Sequence, residues 1–210
     1  MNRSKRTALV VIPLALLLAL PALAQTRRTS PLPIGQPAPM RDHQMRNVDG
    51  QRVSIASAAG EHGTLVIFTC NHCPWAQAWE GRMTSIGNEF ARRGVGVIAI
   101  NSNDPTEYAD DAFEPMQRRH REAGMRFAYV VDETSNVARA FGATRTPEVF
   151  LFDARGRLAY HGAIDDNAHQ AQQVQQHYLR DALTAVVAGR APATPTTRSI
   201  GCTIKFRGGH

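Results

Sequence analysis

The chain has 210 residues, of which 43% are hydrophobic, 20% charged and 7% aromatic. This composition excludes a disordered, collagen-like or multi-span membrane protein, and the length suits one globular domain. The net charge of +6 comes from the two ends, since 25–188 holds 17 basic and 18 acidic residues. Nucleic-acid binding needs a clustered basic face, so no nucleic-acid partner is expected.

The first 24 residues have the pattern of an export signal. A basic segment with Arg3, Lys5 and Arg6 precedes an apolar core, and Ala22-Leu23-Ala24 supplies small residues for cleavage. Residues 1–24 are therefore predicted to be a signal peptide of a periplasmic or secreted protein. An uncleaved N-terminal anchor is the alternative, although the apolar run is shorter than the roughly 20 residues of a membrane span.

Strands and helices alternate along the rest of the chain. Residues 25–37 form a Pro-rich lead-in, and a domain is predicted over 38–188. Its predicted elements are a turn at 48–51, strands at 64–69, 95–100, 127–131, 149–152 and 158–160, and helices at 74–93, 106–123, 135–141 and 169–188. This order predicts an α/β fold with a central mixed sheet flanked by helices. Residues 189–210 form a basic, Pro- and Gly-rich tail.

Two of the three cysteines form a Cys-x-x-Cys motif, Cys70-Asn71-His72-Cys73, between a predicted buried strand and a helix. Backbone N–H groups and the helix dipole stabilise an anion at a helix N-terminus, so a thiolate is favoured there. The sulfurs can meet within one helical turn, and so small a ring gains little entropic stabilisation on closing. The motif therefore predicts a disulfide that opens and closes.

Two other uses of the pair stay open. A structural zinc site would need a second Cys/His pair of similar spacing, which the sequence lacks. An inert disulfide of an exported protein is the other use, although such crosslinks usually join distant segments of a chain.

Further motifs accompany this one. Thr146-Pro147-Glu148 precedes the predicted strand at 149–152, where a proline is tolerated at the start. Together with Cys70-Asn71-His72-Cys73-Pro74 and the segments 101–104, 160–166 and 201–205, it resembles the thioredoxin-like redoxins of the AhpC-TSA (alkyl hydroperoxide reductase/thiol-specific antioxidant) superfamily. The resemblance covers about 34–188 and 199–206.

The resemblance implies a thioredoxin fold with an N-terminal extension and a helical insertion, and Pro147 in cis opposite the cysteines. It implies that Cys70 attacks a substrate disulfide and that Cys73 resolves the mixed disulfide. Thr146 and Pro147 would position a substrate strand. His72 would stabilise the thiolate, so His72→Ala is predicted to raise the pKa of Cys70. The redox-active disulfide would replace any organic cofactor, and no metal is expected.

Two further residues have less certain roles. Glu148 is a candidate proton acceptor for Cys73, with Glu80 as a second candidate. Cys202 lies in the segment 199–206, which the resemblance predicts to dock on the domain. It is either a third redox thiol near the pair or a buried inert thiol, and both readings stay open.

The sequence thus predicts an exported thiol–disulfide oxidoreductase that acts on protein or small-molecule thiols, with a membrane electron donor as a candidate partner. A thiol-dependent peroxidase is the first alternative. Neither Cys70 nor Cys73 ends a Pro-x-x-x-Thr-x-x-Cys motif, so the hydroxyl that would hold a peroxide is missing. A copper metallochaperone is the second alternative because thiolates bind Cu(I), but copper-delivering relatives use a wider cysteine spacing.

Overall fold

The computed structural model describes residues 30–208. The predicted signal peptide, 1–24, and the first part of the lead-in therefore lie outside the described residues. No helix within 30–208 is long and apolar enough to cross a membrane.

The described residues form nine strands and four α-helices. The strands are β1 (Met45–Asn47), β2 (Arg52–Val53), β3 (Gly63–Phe68), β4 (Val95–Asn101), β5 (Ala128–Val131), β6 (Arg145–Thr146), β7 (Glu148–Phe152), β8 (Leu158–Gly162) and β9 (Cys202–Thr203). The helices are α1 (Pro74–Ala91), α2 (Phe113–Ala123), α3 (Asn136–Phe141) and α4 (Tyr178–Val187). Short 3₁₀ turns lie at Ala109–Asp111 and Ala171–Gln173.

Seven strands build a mixed sheet in the order β2-β1-β5-β4-β3-β7-β8. The neighbours β3, β4 and β5 run parallel. β1 and β7 pair antiparallel with β5 and β3, and the edge strands β2 and β8 pair antiparallel with β1 and β7. Every residue of β3 is buried, because helices cover both faces of a central strand of this kind. Because β3, β4 and β5 are parallel, their C-terminal ends lie along the same side of the sheet. The Cys-x-x-Cys motif follows the C-terminal end of β3 there.

Apolar side chains fill a layer on each face of the sheet. Leu65 and Ile67 of β3 join the layer that contains Trp79 of α1, together with residues of α4. Val66 and Phe68 point to the other face and join the layer that contains residues of α3. The alternation follows from the two-residue period of a strand. It fixes β3, and with it the start of α1, between two packed layers.

The central mixed sheet flanked by helices confirms the predicted fold class. The last predicted helix is wrong at its start, because α4 begins at Tyr178 and not at 169. The side chain of Asp166 accepts a hydrogen bond from the backbone N–H of Gln175, and Asn167 accepts one from that of Gln170. Such local bonds compete with helix formation in a segment that lacks an apolar face.

A similar difference affects the second predicted helix, over 106–123. Regular helix begins only at Phe113, and the residues before it include the 3₁₀ turn at Ala109–Asp111. That turn brings an acidic side chain to the cysteine motif, as the site geometry shows.

The C-terminal tail lies on the domain near the same edge of the sheet. β9 pairs antiparallel with β6, so that Thr146 lies opposite Cys202 and Arg145 opposite Thr203. Ile204 is buried in the second apolar layer, and its backbone N–H donates to the carbonyl oxygen of Thr144 at 3.0 Å.

Candidate active site

The cysteine motif forms the turn between β3 and α1. Cys73 is the N-cap of α1 with an extended backbone (φ −71°, ψ 120°), and Pro74 occupies the first helical position. A proline suits that position because its missing N–H would have no partner within the helix. The backbone N–H of Gln77 donates to the carbonyl oxygen of Cys73 at 3.0 Å and closes the first turn. The local sequence thus places the Cys73 sulfur at the helix N-terminus.

Three thiols meet at this turn. The Sγ of Cys70 lies 3.1 Å from Oγ1 of Thr146, and the Sγ of Cys73 donates to the carbonyl oxygen of Thr146 at 3.1 Å. The Sγ of Cys202 lies 2.6 Å from the Sγ of Cys73. Cys70 and Cys73 are buried and Cys202 is partly exposed, and all three are free thiols. The structure therefore brings the remote Cys202 into direct contact with the motif.

The thiols differ in acidity. A hydrogen bond with Cys70 lowers the pKa of Cys73 to about 4 against the opposing effect of burial, and the thiol of Cys202 and the backbone of Ala76 add to the lowering. The same hydrogen bond with Cys73, burial and the charge of Asp111 raise the pKa of Cys70. Burial and Cys73 raise the pKa of Cys202 to about 11. Cys73 is therefore the more acidic thiol of the motif, and the attacking role of Cys70 stays a prediction.

A buried carboxylate, which the sequence analysis missed, borders the pair. The Oδ1 of Asp111 accepts hydrogen bonds from the backbone N–H of Asn71 at 2.6 Å and from Nδ2 of Asn101 at 3.3 Å. Its Oδ2 accepts one from Nδ2 of Asn103 at 2.8 Å and lies 2.5 Å from Nδ1 of His72. One sequence feature could have indicated this carboxylate. The end of β4, the strand before it, is rich in asparagine and lies at the same side of the sheet as the cysteines.

His72 faces this carboxylate. Its Nδ1 contacts Asp111, and its ring stacks on that of Tyr108 with centroids 3.7 Å apart and planes 3° apart. Tyr108 is itself 43% exposed and covers the histidine from the solvent side. His72 is therefore held as part of a His–Asp pair beside Cys70, and its predicted effect on the thiolate stays a prediction.

The loop before β7 supplies the other wall of the site. The peptide bond between Thr146 and Pro147 is cis, as the resemblance implied. Thr146 is buried and contacts Cys70 through its hydroxyl and Cys73 through its carbonyl oxygen. Its backbone already pairs with β9, so the tail of the chain occupies the position predicted for a substrate strand.

Glu148 holds this loop from behind. Its Oε2 accepts hydrogen bonds from the backbone N–H groups of Thr144 at 2.8 Å and Arg145 at 2.9 Å, and its Oε1 lies 2.7 Å from Nε2 of His161. Within 30–208 both oxygens thus bond to groups other than Cys73. A proton-accepting role of Glu148 stays a prediction, and the contacts give it a structural role in the loop.

Glu80, the second candidate acceptor, forms an ion pair with Arg119. It joins α1 to α2 through that pair, and its role as a base also stays a prediction.

One group of side chains near the motif has donor atoms suited to a metal ion. The ligand atoms of Cys70, His72 and Asp111 lie within 4.8 Å of one another. A metal there would have to replace the contact between Nδ1 of His72 and Oδ2 of Asp111, which these two side chains make without an ion.

Residues 34–161 match the sequence profile of the AhpC/TSA family, which is more than half of the chain. The chain belongs to the AhpC/TSA family. This confirms the resemblance predicted from the motifs. The profile covers both the cysteine motif and the cis-proline loop of this AhpC/TSA protein, whereas β9 and Cys202 lie beyond it.

Two proteins are similar to this chain in sequence. The thiol–disulfide oxidoreductase ResA of Halalkalibacterium halodurans is 25% identical over 114 residues, which cover 54% of this chain and 60% of the relative. The chain thus spans less than two thirds of that relative's length. An uncharacterised conserved protein of Geobacillus kaustophilus is 34% identical, with a TM-score of 0.79 over 85% of this chain and 94% of that one.

A thioredoxin-like protein solved in its oxidised form shares the fold alone. It is 18% identical, with a TM-score of 0.59 over 73% of this chain and 97% of that chain. The AhpC/TSA protein therefore has the thioredoxin-like fold that the resemblance implied.

Proposed function

We propose that this AhpC/TSA protein is a thiol–disulfide oxidoreductase whose Cys70–Cys73 pair exchanges disulfides with protein or small-molecule thiols. One observation carries the proposal: both sulfurs lie where α1 begins and contact the same residue, Cys70 through the hydroxyl of Thr146 and Cys73 through its carbonyl oxygen. Disulfide exchange proceeds by attack of a thiolate on a disulfide sulfur, and this pair joins an acidic thiol to a second thiol that can form the mixed disulfide. The name of the ResA relative supports the same chemistry.

The reaction follows in two exchange steps. The sulfur of Cys70, after passing its proton to Cys73, attacks one sulfur of a substrate disulfide, and the second substrate sulfur leaves as a thiolate. The leaving thiolate takes that proton from Cys73, and the Cys73 thiolate then attacks Cys70 in the mixed disulfide and releases the first substrate sulfur. The protein ends with a Cys70–Cys73 disulfide, and the substrate has gained two electrons and two protons, one from Cys70 and one from solvent. The lowered pKa of Cys73 favours return of the proton to the leaving thiolate, so a separate base is not needed.

A turnover assay with trapping variants tests this proposal. The wild-type protein is predicted to accelerate reduction of insulin by dithiothreitol, while Cys70→Ser and Cys73→Ser bring the rate down to that without protein. With glutathione disulfide, Cys73→Ser is predicted to accumulate a mixed disulfide on Cys70, because the resolving sulfur is gone. Wild-type protein that leaves the insulin rate unchanged would contradict the proposal.

Export belongs to the same proposal. The signal-peptide pattern of 1–24 supports a location in the cell envelope or outside the cell, where disulfides persist. A membrane electron donor is then the candidate source of reducing equivalents if the protein acts as a reductase. Fractionation of the native host, with the mature N-terminus sequenced, is expected to find the protein outside the cytoplasm and to begin at Gln25.

Peroxide reduction is the second candidate activity. The observation that favours it is the hydroxyl of Thr146, 3.1 Å from the Sγ of Cys70, which places a hydrogen-bond donor beside a sulfur that lacks the sequence motif for one. Stopped-flow mixing with hydrogen peroxide separates the two activities. Thiol–disulfide exchange as the main function predicts a rate close to that of a free thiol, and a much faster rate would favour the peroxidase.

A further inference from the structure

The tail of the chain occupies the edge at which a substrate strand was expected. β9 pairs antiparallel with β6, and the pairing sets Cys202 opposite Thr146. In this register the Sγ of Cys202 lies 2.6 Å from the Sγ of Cys73, so the two sulfurs are in direct contact. The tail therefore presents a cysteine to the pair much as a bound substrate strand would.

Contacts on both sides of Cys202 hold it there. The guanidinium of Arg145 donates to the carbonyl oxygen of Gly201 at 3.1 Å, and the backbone N–H of Lys205 donates to Oδ1 of Asn103 at 2.8 Å. Ile204 between them is buried. The position of the Cys202 sulfur is therefore fixed by the contacts of the whole segment around it and not by its own side chain alone.

Gly201 shows how closely the segment fits. A Cβ atom at this position would lie 2.1 Å from the carbonyl oxygen of Thr146, so a larger residue cannot be accommodated without moving the strand. The backbone of the tail thus packs directly against the cis-proline loop. The close approach also offers a way to displace the tail without altering any cysteine.

We propose that Cys202 is a third redox-active thiol, which takes over the disulfide of the Cys70–Cys73 pair by bonding to Cys73, with the tail as a built-in substrate strand. The proposal rests on the proposed function, because it requires that Cys70 and Cys73 form a disulfide.

The step is an internal thiol–disulfide exchange. The thiolate of Cys202 attacks the Sγ of Cys73 in the Cys70–Cys73 disulfide, a Cys73–Cys202 bond forms, and the Cys70–Cys73 bond breaks. Cys70 leaves as a thiolate and takes up the proton that Cys202 released, so no external oxidant or reductant is consumed. Burial and the charge of Asp111 favour the protonated form of Cys70 that results.

The exchange moves the disulfide toward solvent. Cys202 is the only one of the three cysteines, all within the described residues, that is not buried. A disulfide that includes Cys202 is therefore more accessible to an external thiol than one between Cys70 and Cys73.

Disulfide mapping in single variants tests the proposal. Each full-chain protein is equilibrated with glutathione disulfide, its free thiols are blocked at low pH, and its peptides are mapped by mass. In Cys70→Ser the two remaining thiols are predicted to join in a Cys73–Cys202 disulfide. Finding Cys73 only free or joined to glutathione in folded Cys70→Ser would overturn the proposal. Wild-type protein at intermediate glutathione ratios is a second test, since the Cys73–Cys202 peptide is expected there too.

Displacement of the tail provides an independent variant with a matched control. Gly201→Ala in the Cys70→Ser background is predicted to weaken the Cys73–Cys202 disulfide against glutathione by about tenfold or more, because docking raises the effective concentration of Cys202 at Cys73. Gly81→Ala is the control, since a Cβ atom there meets nothing within 4 Å, and it should leave the equilibrium unchanged. Equal disulfide stability in the Gly201 and Gly81 variants would argue against the docked strand.

The two proposals fail in different ways. The role of Cys202 alone would be refuted by two results together. Cys202→Ser would still form the Cys70–Cys73 disulfide, and Cys70→Ser would never link Cys73 to Cys202. Cys202→Ser in which Cys70 and Cys73 do not pair would refute the proposed function itself.

Discussion

At the scale of single residues, Asp111 sets the charge beside the cysteine pair. It is buried, bonds to two asparagine side chains and to His72, and its charge raises the pKa of Cys70. A buried carboxylate of this kind stabilises the neutral form of a neighbouring thiol, because two like charges in a poorly solvated site repel each other.

Asp111→Asn is therefore predicted to lower the pKa of Cys70. Carbon-13 NMR of Cβ-labelled cysteine, followed through a pH titration, resolves each thiol separately. Asp110→Asn is the matched control, because the neighbouring residue is exposed and is expected to have little effect. A Cys70 titration that is the same in both variants would contradict the assignment of Asp111.

His72 acts on the same sulfur through Asp111. His72→Ala leaves that carboxylate without its ring partner and is predicted to raise the pKa of Cys70, in the direction that the sequence already suggested. The same NMR titration measures the effect. In the double variant with Asp111→Asn the histidine substitution should have little further effect, because the charge that it balances is gone. An undiminished effect in the double variant would instead mean that His72 acts on Cys70 directly.

At the scale of elements, the sequence predicts best those strands and helices that are determined by patterns among neighbouring residues. The strand at 64–69 and the helix at 74–93 agree closely with β3 and α1, because an apolar run and a helical period are properties of neighbouring residues. That junction identifies Cys70 and Cys73. The start of α4 was wrong because side chains at 166 and 167 bond to the backbone, which composition does not reveal.

Long-range contacts account for what the sequence analysis missed. Asp111 reaches the site through a 3₁₀ turn that was predicted as helix, and the Glu148–His161 pair joins two strands of a hairpin. The register of β9 on β6 likewise depends on a tail 56 residues further along the chain, as the bond from Arg145 to Gly201 shows. Such contacts leave no periodic signal at either position.

Two glycines of α1 provide a test at this scale. A Cβ atom at Gly87 would lie 2.5 Å from the buried ring of Phe127, whereas one at Gly81 would meet nothing within 4 Å. Gly87→Ala is predicted to destabilise the protein by about 1–3 kcal/mol through overpacking. Gly81→Ala is predicted to stabilise it by up to about 1 kcal/mol through helix propensity. Urea unfolding measures both, and equal effects would contradict the packing of α1 against the loop before β5.

At the scale of the whole molecule, the thiols link stability to pH in the reduced protein. The folded-state pKa of Cys73 is about 4, well below the 9.0 of the unfolded chain. A depressed pKa adds stability that is fully present above the unfolded value and is lost as the pH falls toward the folded one. The free energy of unfolding should therefore rise with pH between about 4 and 9 through this group.

Urea unfolding of reduced wild type and reduced Cys73→Ser across this pH range isolates the effect. The wild-type protein is expected to gain stability relative to the variant as the pH rises. Above pH 9 the raised pKa values of Cys70 and Cys202 act in the opposite direction and reduce the gain. A constant difference between the two proteins from pH 4 to 9 would contradict an ionised Cys73.

The redox equilibrium of Cys70 and Cys73 against glutathione tests the central claim most directly. The full-chain protein carrying Cys202→Ser, in which the third thiol cannot compete for Cys73, is equilibrated at graded ratios of reduced to oxidised glutathione, quenched with acid, alkylated and mapped by mass. The two thiols are predicted to disappear together and reversibly, with a two-electron midpoint between about −270 and −120 mV, the range of thioredoxin-fold dithiols. Thiols that stay reduced over the whole range, or that acquire glutathione one at a time without ever joining, would contradict a redox-active pair.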